Sequence, residues 1–307
     1  MLEKKITTSS ISRTSAIFLA LLVTFLWSTS FIIIKWGLID IPPLTYAGLR
    51  YTLAFICLVP FILTKNKIAE IKSINNKGWI KLILLGLLFY SVTQGTQFIG
   101  LSLLPSVTVS LILNFTPIIV AAMGIFILAE RPSVLQWCGS FLFIAGILTY
   151  FYPVDFLESR LLGILVMMIG VAANSASSIL GRSINRSGKF SPLVVTVISM
   201  GIGSILILIT GLTFQGLPAI SLTNILLLIW LSVINTAFAF TLWNLTLQKL
   251  TAMESSIING TMLIQIAFLA WIFLKEQITL HEAAGMIIAA AGALFVQLKK
   301  KTGVYTK

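Results

Sequence analysis

Charge is scarce in this sequence: only 10% of its 307 residues are charged, whereas soluble domains carry about 25%. Hydrophobic residues make up 58% of the chain, and the mean hydropathy is +1.03. Apolar runs of about 20 residues, the length that crosses a bilayer, follow one another from Thr14 to Leu298. The composition therefore argues against a soluble fold and predicts an integral membrane protein, with the lipid bilayer as its first partner.

Residues typical of metal sites, redox sites and nucleotide sites are also rare. The two cysteines, Cys57 and Cys138, lie inside apolar runs without a CxxC pair, which argues against a disulfide framework or a metal site. The sequence contains no GxxxxGK[ST] loop, which argues against ATP as the driving ligand. The lone histidine, His281, has no candidate partner beside it. We therefore expect no metal, no cofactor and no catalytic residues.

The net charge of +12 does not indicate nucleic-acid binding, because the basic residues cluster between the apolar runs and form no basic, aromatic face. Such clusters mark the cytoplasmic side of a membrane protein. With the N-terminus inside, this side collects every Lys and Arg except Lys35, Arg50, Arg160 and Lys275. The sequence thus predicts a multi-pass protein of the plasma membrane with both termini in the cytoplasm.

Turn residues and charges divide the apolar sequence into ten predicted spans. Since lipid offers backbone groups no hydrogen-bond partner, spans of this length should be α-helices, and the predicted fold class is an all-α integral membrane protein with ten transmembrane helices. The spans, numbered in chain order, are roughly 14–36, 43–63, 78–101, 104–128, 134–152, 161–181, 191–212, 222–246, 251–274 and 279–298.

One stretch of the chain occurs twice. IFILAERPSVLQWCGSFLFIAGI, starting at Ile125, recurs as IFLKEQITLHEAAGMIIAAAGAL, starting at Ile272, and an offset of 146 residues aligns Glu130 with Glu276. Since five helices are an odd number, a second copy would enter the membrane from the other side, which gives inverted repeats. We predict a first five-helix repeat over 14–152 and a second over 161–298. A cytoplasmic segment, 1–13, and a basic cytoplasmic tail, 299–307, flank them.

The two paired glutamates have two open interpretations. Glu130 is predicted at the cytoplasmic end of span 4 and Glu276 at the outer end of span 9. Each could be a helix-end charge that favours the positive N-terminus of the next helix, or a carboxylate with a role in gating. Either way, both mark helix ends.

Three further residues are candidates for a gate or an access path. Pro117 should kink span 4 near Leu113, because proline cannot donate a backbone hydrogen bond. The kink could line the pathway or be purely structural. Trp243 and Asn244, near the cytoplasmic third of span 8, could form the wall of an access path, although tryptophan also anchors helices at the membrane interface.

Polar side chains at mid-depth are the candidate substrate-binding residues, because they are costly in lipid unless they face a cavity or one another. Amides also join helices directly, so packing remains an alternative for each residue. For the set we favour a shared cavity. Its members are Trp27, Tyr90, Asn114, Asn174, Asn235 and Asn259, with Gln94 nearer the outer third of span 3.

Arg50 is the strongest single candidate for substrate binding, because it lies within span 2 and arginine is always charged. Its planar guanidinium could draw an anionic group, such as a carboxylate, towards the pathway with two parallel hydrogen bonds. The alternatives are that it extends to the outer surface, or that it pairs with a helix C-terminus or with Asp40.

Several motifs resemble the ten-helix EamA-type branch of the drug/metabolite transporter superfamily. They are WSTSFIIIK in span 1, PPLTYAGLRY in span 2, LSLLPS at the end of span 3 and LNFTPIIVAAMGIFILAERPSVLQWCGSFLFIAGI across spans 4 and 5. The second half departs from this pattern. Span 9 has Leu263 where span 4 has Pro117, and span 7 has only small or apolar residues around Ser199 where span 2 has Arg50.

The resemblance implies a secondary transporter that exports a small polar metabolite, such as an amino acid, by alternating access. Two other classes stay open on the residues alone, namely an intramembrane lipid-modifying enzyme and a channel or receptor. The substrate, the direction, the coupling ion and the choice between monomer and homodimer are open as well.

Overall fold

A computed structural model describes residues 12–128, 133–152, 158–186, 189–247, 249–250 and 258–297. These residues are all-α, and no strand occurs in them. Six of the helices are long and apolar enough to cross a membrane, and four shorter apolar helices accompany them. The predicted class of all-α integral membrane protein is confirmed at this level.

The helices are numbered to match the predicted spans. Their described ends lie within about five residues of the predicted ones, whereas the predicted start of span 9, residue 251, lies outside the described residues. They are α1 (Arg13–Gly37), α2 (Pro43–Leu58, continued by the 3₁₀ turn Val59–Ile62), α3 (Asn76–Leu103), α4 (Ser106–Leu113 and Thr116–Leu128), α5 (Val134–Tyr150), α6 (Glu158–Arg186), α7 (Pro192–Phe214), α8 (222–247), α9 (Ile258–Leu274) and α10 (Leu280–Gln297). Between α2 and α3 lies a short helix, Lys65–Lys72, which we call the surface helix.

Small polar residues start several of these helices by accepting a hydrogen bond from the first turn. Ser12 accepts from the N–H of Ser15 at 3.0 Å to start α1, and Asn75 accepts from the N–H of Gly78 at 2.9 Å to start α3. At the start of α5, Ser133 and Gln136 form a reciprocal capping box. Local sequence therefore sets where these helices begin.

Glycines bring the backbones of α5 and α10 into direct contact. A Cβ atom added to Gly292 would lie 2.3 Å from the backbone nitrogen of Phe143, and one added to Gly146 would lie 2.4 Å from that of Ala289. Gly139 and Gly285 meet the facing backbone in the same way. The seven-residue glycine spacing seen in both sequence copies thus serves close helix packing.

Two helices contain π-helical segments at corresponding positions. Gly86–Thr93 in α3 and Val233–Phe238 in α8 overlap when one is shifted by 146 residues, so that Tyr90 falls on Thr236. In both segments a threonine hydroxyl donates to the carbonyl five residues earlier, at 2.8 Å. Such segments are frequent at functional sites, and these two lie in the middle of their helices.

The glycine contact generates a stability prediction. We expect Gly292→Ala to lower the free energy of unfolding by about 1–3 kcal/mol, because the new Cβ would overlap a backbone atom that cannot move aside. Thermal unfolding in detergent measures the change. The matched control is Gly181→Ala, whose Cβ would find its nearest neighbour at 3.7 Å. An equal loss of stability in both variants would contradict direct backbone contact at Gly292.

Candidate functional site

Arg50 is buried between α1, α2 and α8 with 4% of its surface exposed. Its Nε donates to the hydroxyl of Thr236 at 3.1 Å, and its Nη2 donates to the hydroxyl of Ser30 at 3.5 Å. The guanidinium carbon also lies 5.1 Å from the ring centre of Tyr51. The side chain therefore points into the bundle and not to its outer surface.

The charge of Arg50 has no opposite charge beside it among the residues that the structure describes. Within the described part of the chain, no carboxylate lies at ion-pair distance from the guanidinium, and Asp40 instead accepts a hydrogen bond from Asn224 at 2.6 Å. The two hydroxyl contacts use two of the five N–H donors of the group. Because a buried charge without a partner is costly, this side chain is the first candidate for ligand binding.

Asn235, in the π-helical segment of α8, meets Arg50 at a shared hydroxyl. Its fully buried amide nitrogen donates to Ser30 at 2.9 Å and to Thr29 at 3.0 Å, and also to the carbonyl of Leu26. Since the carbonyl can only accept, the amide oxygen must point away from it, and this oxygen has no hydrogen-bond partner among the described residues. A positive donor group and a free acceptor therefore lie on either side of Ser30.

The polar contacts continue from Arg50 towards α3. The hydroxyl of Tyr51 donates to the side-chain oxygen of Gln94 at 2.6 Å, and the ring of Tyr51 packs on Tyr90 with centres 5.8 Å apart. Three of the predicted residues, Tyr90, Gln94 and Asn235, thus join Arg50. We call the connected group the central cluster; its members are Ser30, Arg50, Tyr51, Tyr90, Gln94, Asn235 and Thr236.

Trp27 follows Leu26, whose carbonyl accepts a hydrogen bond from Asn235 of the central cluster. The ring of Trp27 belongs to an aromatic group. Its ring centre lies 5.4 Å from that of Phe240 and 5.2 Å from that of Trp243, so α1 and α8 pack through these rings. Trp243 also packs on the apolar group that contains Ala16. The side chain of Asn244 lies outside the described residues.

The structure places the other predicted amides elsewhere. Asn174 in α6 donates to the hydroxyl of Thr116 at 3.1 Å, and Asn114 donates to the carbonyl of Ser110 in its own helix at 2.9 Å. Asn259 is exposed. The prediction that these residues line one cavity with Asn235 remains a prediction: the hydrogen bond of Asn174 joins α6 to α4, and that of Asn114 stays within α4.

The helix α4 is interrupted at Asn114 and Phe115, as the proline at 117 predicts. Its counterpart α9 has a similar irregularity at Thr261, the position that an offset of 146 places on Phe115, although Leu263 replaces the proline there. The irregularity in α9 thus occurs without a proline; at this point the hydroxyl of Thr261 donates to the carbonyl of Ile258 at 2.6 Å.

Sequence reasoning missed Gln265, an amide within α9. Its oxygen accepts from the hydroxyl of Ser28 at 2.9 Å, and its nitrogen donates to the hydroxyl of Thr261 at 3.0 Å. Gln265 thus connects α9 to α1 next to Trp27. The signal that found Asn259, a polar side chain inside an apolar run, applies equally to Gln265.

Glu276 caps a helix of the other half of the chain. Its carboxylate accepts from the backbone N–H of Ser106 at 2.8 Å and of Val107 at 3.4 Å, at the start of α4. The expectation that it favours the next helix, α10, is therefore wrong: the N-terminus that it reaches belongs to α4 because α4 and α9 pack side by side at this end. Glu130 lies outside the described residues.

Two more helices are capped across the halves. The side-chain oxygen of Gln215, after α7, accepts from the N–H of Leu44 at 2.8 Å at the start of α2. At the opposite end of the bundle, Glu70 accepts from the N–H of Ser191 and, at 3.1 Å, from its hydroxyl, at the start of α7. The N-termini of α2, α4 and α7 each depend on a side chain from the other half.

Comparison with known proteins identifies the family. The model of the EamA-like transporter family matches this chain twice, over residues 14–152 and 161–298. Together the two matches cover most of the chain.

The relatives are distant in sequence but similar in length. A Bacillus subtilis (strain 168) protein called uncharacterized transporter YoaV is 24% identical over 88% of this chain and 92% of its own length. A Salmonella typhimurium (strain LT2) protein called probable amino-acid metabolite efflux pump is 26% identical over 90% and 92%. A crystal structure at 17% identity has the same fold, with a TM-score of 0.66 over 93% of this chain and 98% of that one.

The cap at Glu276 leads to a prediction for stability. Glu276→Ala should lower the free energy of unfolding by about 1 kcal/mol, because the N–H groups of Ser106 and Val107 lose their acceptor. Glu276→Gln keeps an acceptor oxygen and should lose less. Thermal unfolding of both variants checks this, and equal melting temperatures for wild type and Glu276→Ala would contradict the cap.

The contact of Glu70 predicts a pH dependence. Burial works to raise the pKa of this carboxyl, but hydrogen bonds from Ser191 and Lys67 outweigh it and hold the pKa below its usual value of 4.5. A pKa lowered by folding adds stability that is fully present above pH 4.5 and is lost as the pH falls through the folded value. The melting temperature of wild type should therefore fall more steeply on acidification below pH 4.5 than that of Glu70→Gln. Parallel curves would refute this.

Proposed function

Since the chain belongs to the EamA-like transporter family, we propose that it is a secondary transporter that exports a small polar metabolite, such as an amino acid, across the plasma membrane. The family and the names of its relatives indicate a multi-pass membrane transporter rather than an enzyme. The names of two relatives, from Salmonella typhimurium and Escherichia coli, specify amino-acid metabolite efflux, which supports the choice of substrate class. We place both termini in the cytoplasm, on the distribution of lysine and arginine.

We further propose that transport proceeds by alternating access between two inverted repeats of five transmembrane helices. Three features support this architecture: the family model matches two successive segments, the π-helical segments of α3 and α8 correspond at an offset of 146 residues, and the N-terminal caps connect one half to the other. Since these caps lie at both ends of the bundle, a movement of one half against the other would break and re-form them. Glu276, and Glu130 by its position in the other copy, would then act in gating.

The observation that carries the choice of substrate is the buried charge of Arg50 in the central cluster, which no carboxylate of the described residues pairs. We assign to its guanidinium the binding of a substrate carboxylate, which would supply the missing negative charge. The amide oxygen of Asn235, buried and without a hydrogen-bond partner in the described part of the chain, would accept a hydrogen bond from a donor such as an ammonium group. Carboxylate and ammonium groups together are the polar part of an amino acid.

The remaining predicted residues keep the roles that their positions support. Trp27 and Trp243, with Asn244, would line the path between α1 and α8, and Tyr90 would close the central cluster towards α3. Asn114, Asn174 and Asn259 would approach the substrate in another conformation of the cycle. Pro117 and the neighbouring break in α4 would provide a hinge.

Transport by the purified protein in liposomes tests this proposal. We expect saturable uptake or counterflow of radiolabelled amino acids, and we expect Arg50→Lys to raise the KM at least tenfold, because lysine keeps the charge but cannot form two parallel bonds to a carboxylate. The matched control is Lys249→Gln, a change at an exposed lysine, which should leave the KM unchanged.

Two results would contradict the assignment. Transport of amino acids with an unchanged KM in Arg50→Lys would remove Arg50 from the binding site. If the protein transports only neutral solutes, and no carboxylate compound is transported or inhibits that transport, the substrate does not belong to the proposed class of amino acids. Thermal unfolding of each variant shows whether it is folded.

A further inference from the structure

The surface helix has two faces that differ in exposure. Lys67, Glu70 and Ile71 are half-buried against the protein. The opposite face is exposed and consists of Lys65, Ile68, Ala69 and Lys72, at the spacing i, i+3, i+4 and i+7 that places residues on one side of a helix.

The inner face fixes the surface helix to the start of α7. Glu70 accepts hydrogen bonds from Ser191, as described above, and forms an ion pair with Lys67 at 3.1 Å. Ile71 packs on the large apolar core. Phe190, just before α7, contacts the start of α3, since a Cβ added to Gly78 would lie 3.2 Å from its ring. The exposed face therefore has a fixed position on the protein.

The exposed face is basic and has apolar side chains around it. Glu70 is the one acidic residue in the sequence between residues 41 and 129, and it is engaged on the inner face. Among the described residues, no carboxylate lies at ion-pair distance from Lys65 or Lys72. The face also carries Ile68, which is 38% exposed. Exposed apolar side chains also lie at the end of α2 and the start of α3: Phe61, Leu63 and Ile80, between 57% and 63% exposed.

We propose that the exposed face of the surface helix binds anionic phospholipid headgroups at the membrane surface. The apolar side chains next to it would enter the interfacial layer, while Lys65 and Lys72 would extend their charged ends to the headgroup phosphates. This combination of one basic face and adjoining apolar side chains fits an anionic bilayer surface, because a soluble anion offers no contact for the apolar groups. The proposal stands independently of the transported substrate.

A fluorophore on this face tests the proposal. Ala69→Cys in a Cys57→Ser, Cys138→Ser background provides a single labelling site for an environment-sensitive probe on the full-length protein. The labelled protein in detergent is titrated with phosphatidylglycerol or with phosphatidylcholine. We expect binding of phosphatidylglycerol in preference to phosphatidylcholine, and an affinity about fivefold weaker in Lys65→Gln and in Lys72→Gln. Lys72→Arg should retain the affinity.

The matched control is Lys67→Gln, which removes the same charge from the inner face of the same helix and should leave the affinity nearly unchanged. An equal loss in Lys67→Gln and Lys72→Gln would show that only net charge matters and would overturn the proposal. So would an equal affinity for the two lipids. If soluble glycerol phosphate displaced phosphatidylglycerol with the same affinity as the lipid, the site would bind small anions and not a membrane surface.

Discussion

The N-termini of three helices are capped by side chains from the opposite half of the chain, and the relative position of the two halves depends on these contacts. The first N–H groups of a helix have no partner in the helix itself, and lipid cannot provide one. Glu276 satisfies those of α4, Gln215 those of α2 and Glu70 that of Ser191 before α7. Because each cap crosses between the halves, neither half completes its own hydrogen bonds.

Close backbone contacts work together with these caps. Glycines let α5 pack on α10, and Gly48 and Gly211 do the same for α2 and α7, where an added Cβ would lie within 2.5 Å of the facing backbone. Contacts of this kind hold the two helices of a pair at one distance, so that each pair can move as one rigid body. Rigid helix pairs with exchangeable caps at their ends are the elements that a rocking motion requires.

The sequence predicted the helices well and the central cluster only in part. Long apolar runs determine where helices lie in a membrane protein, so their bounds agree within a few residues. Depth along a helix grouped Tyr90 and Asn235 with the other mid-depth residues but did not join them to Arg50, and it could not give the rotation that turns Asn174 towards Thr116 and leaves Asn259 exposed. Gln265 was missed, and Glu276 was assigned to the wrong helix, because both depend on which helices pack side by side. That arrangement is a property of the whole bundle.

The framework of the two halves corresponds, whereas the central cluster does not. The π-helical segments of α3 and α8, the paired glycines and the helix-end side chains recur at an offset of 146 residues or close to it. In contrast, only small or apolar residues correspond to Arg50 in the second half of the sequence. In the alternating-access movement that we propose, both halves would need helix caps and close contacts. A bound solute with unlike ends needs a positive group on one side and an acceptor on the other, and a symmetric site would offer the same group twice. In the binding site that we propose, Arg50 and Asn235, joined through Ser30, would provide that asymmetry with two side chains from different halves.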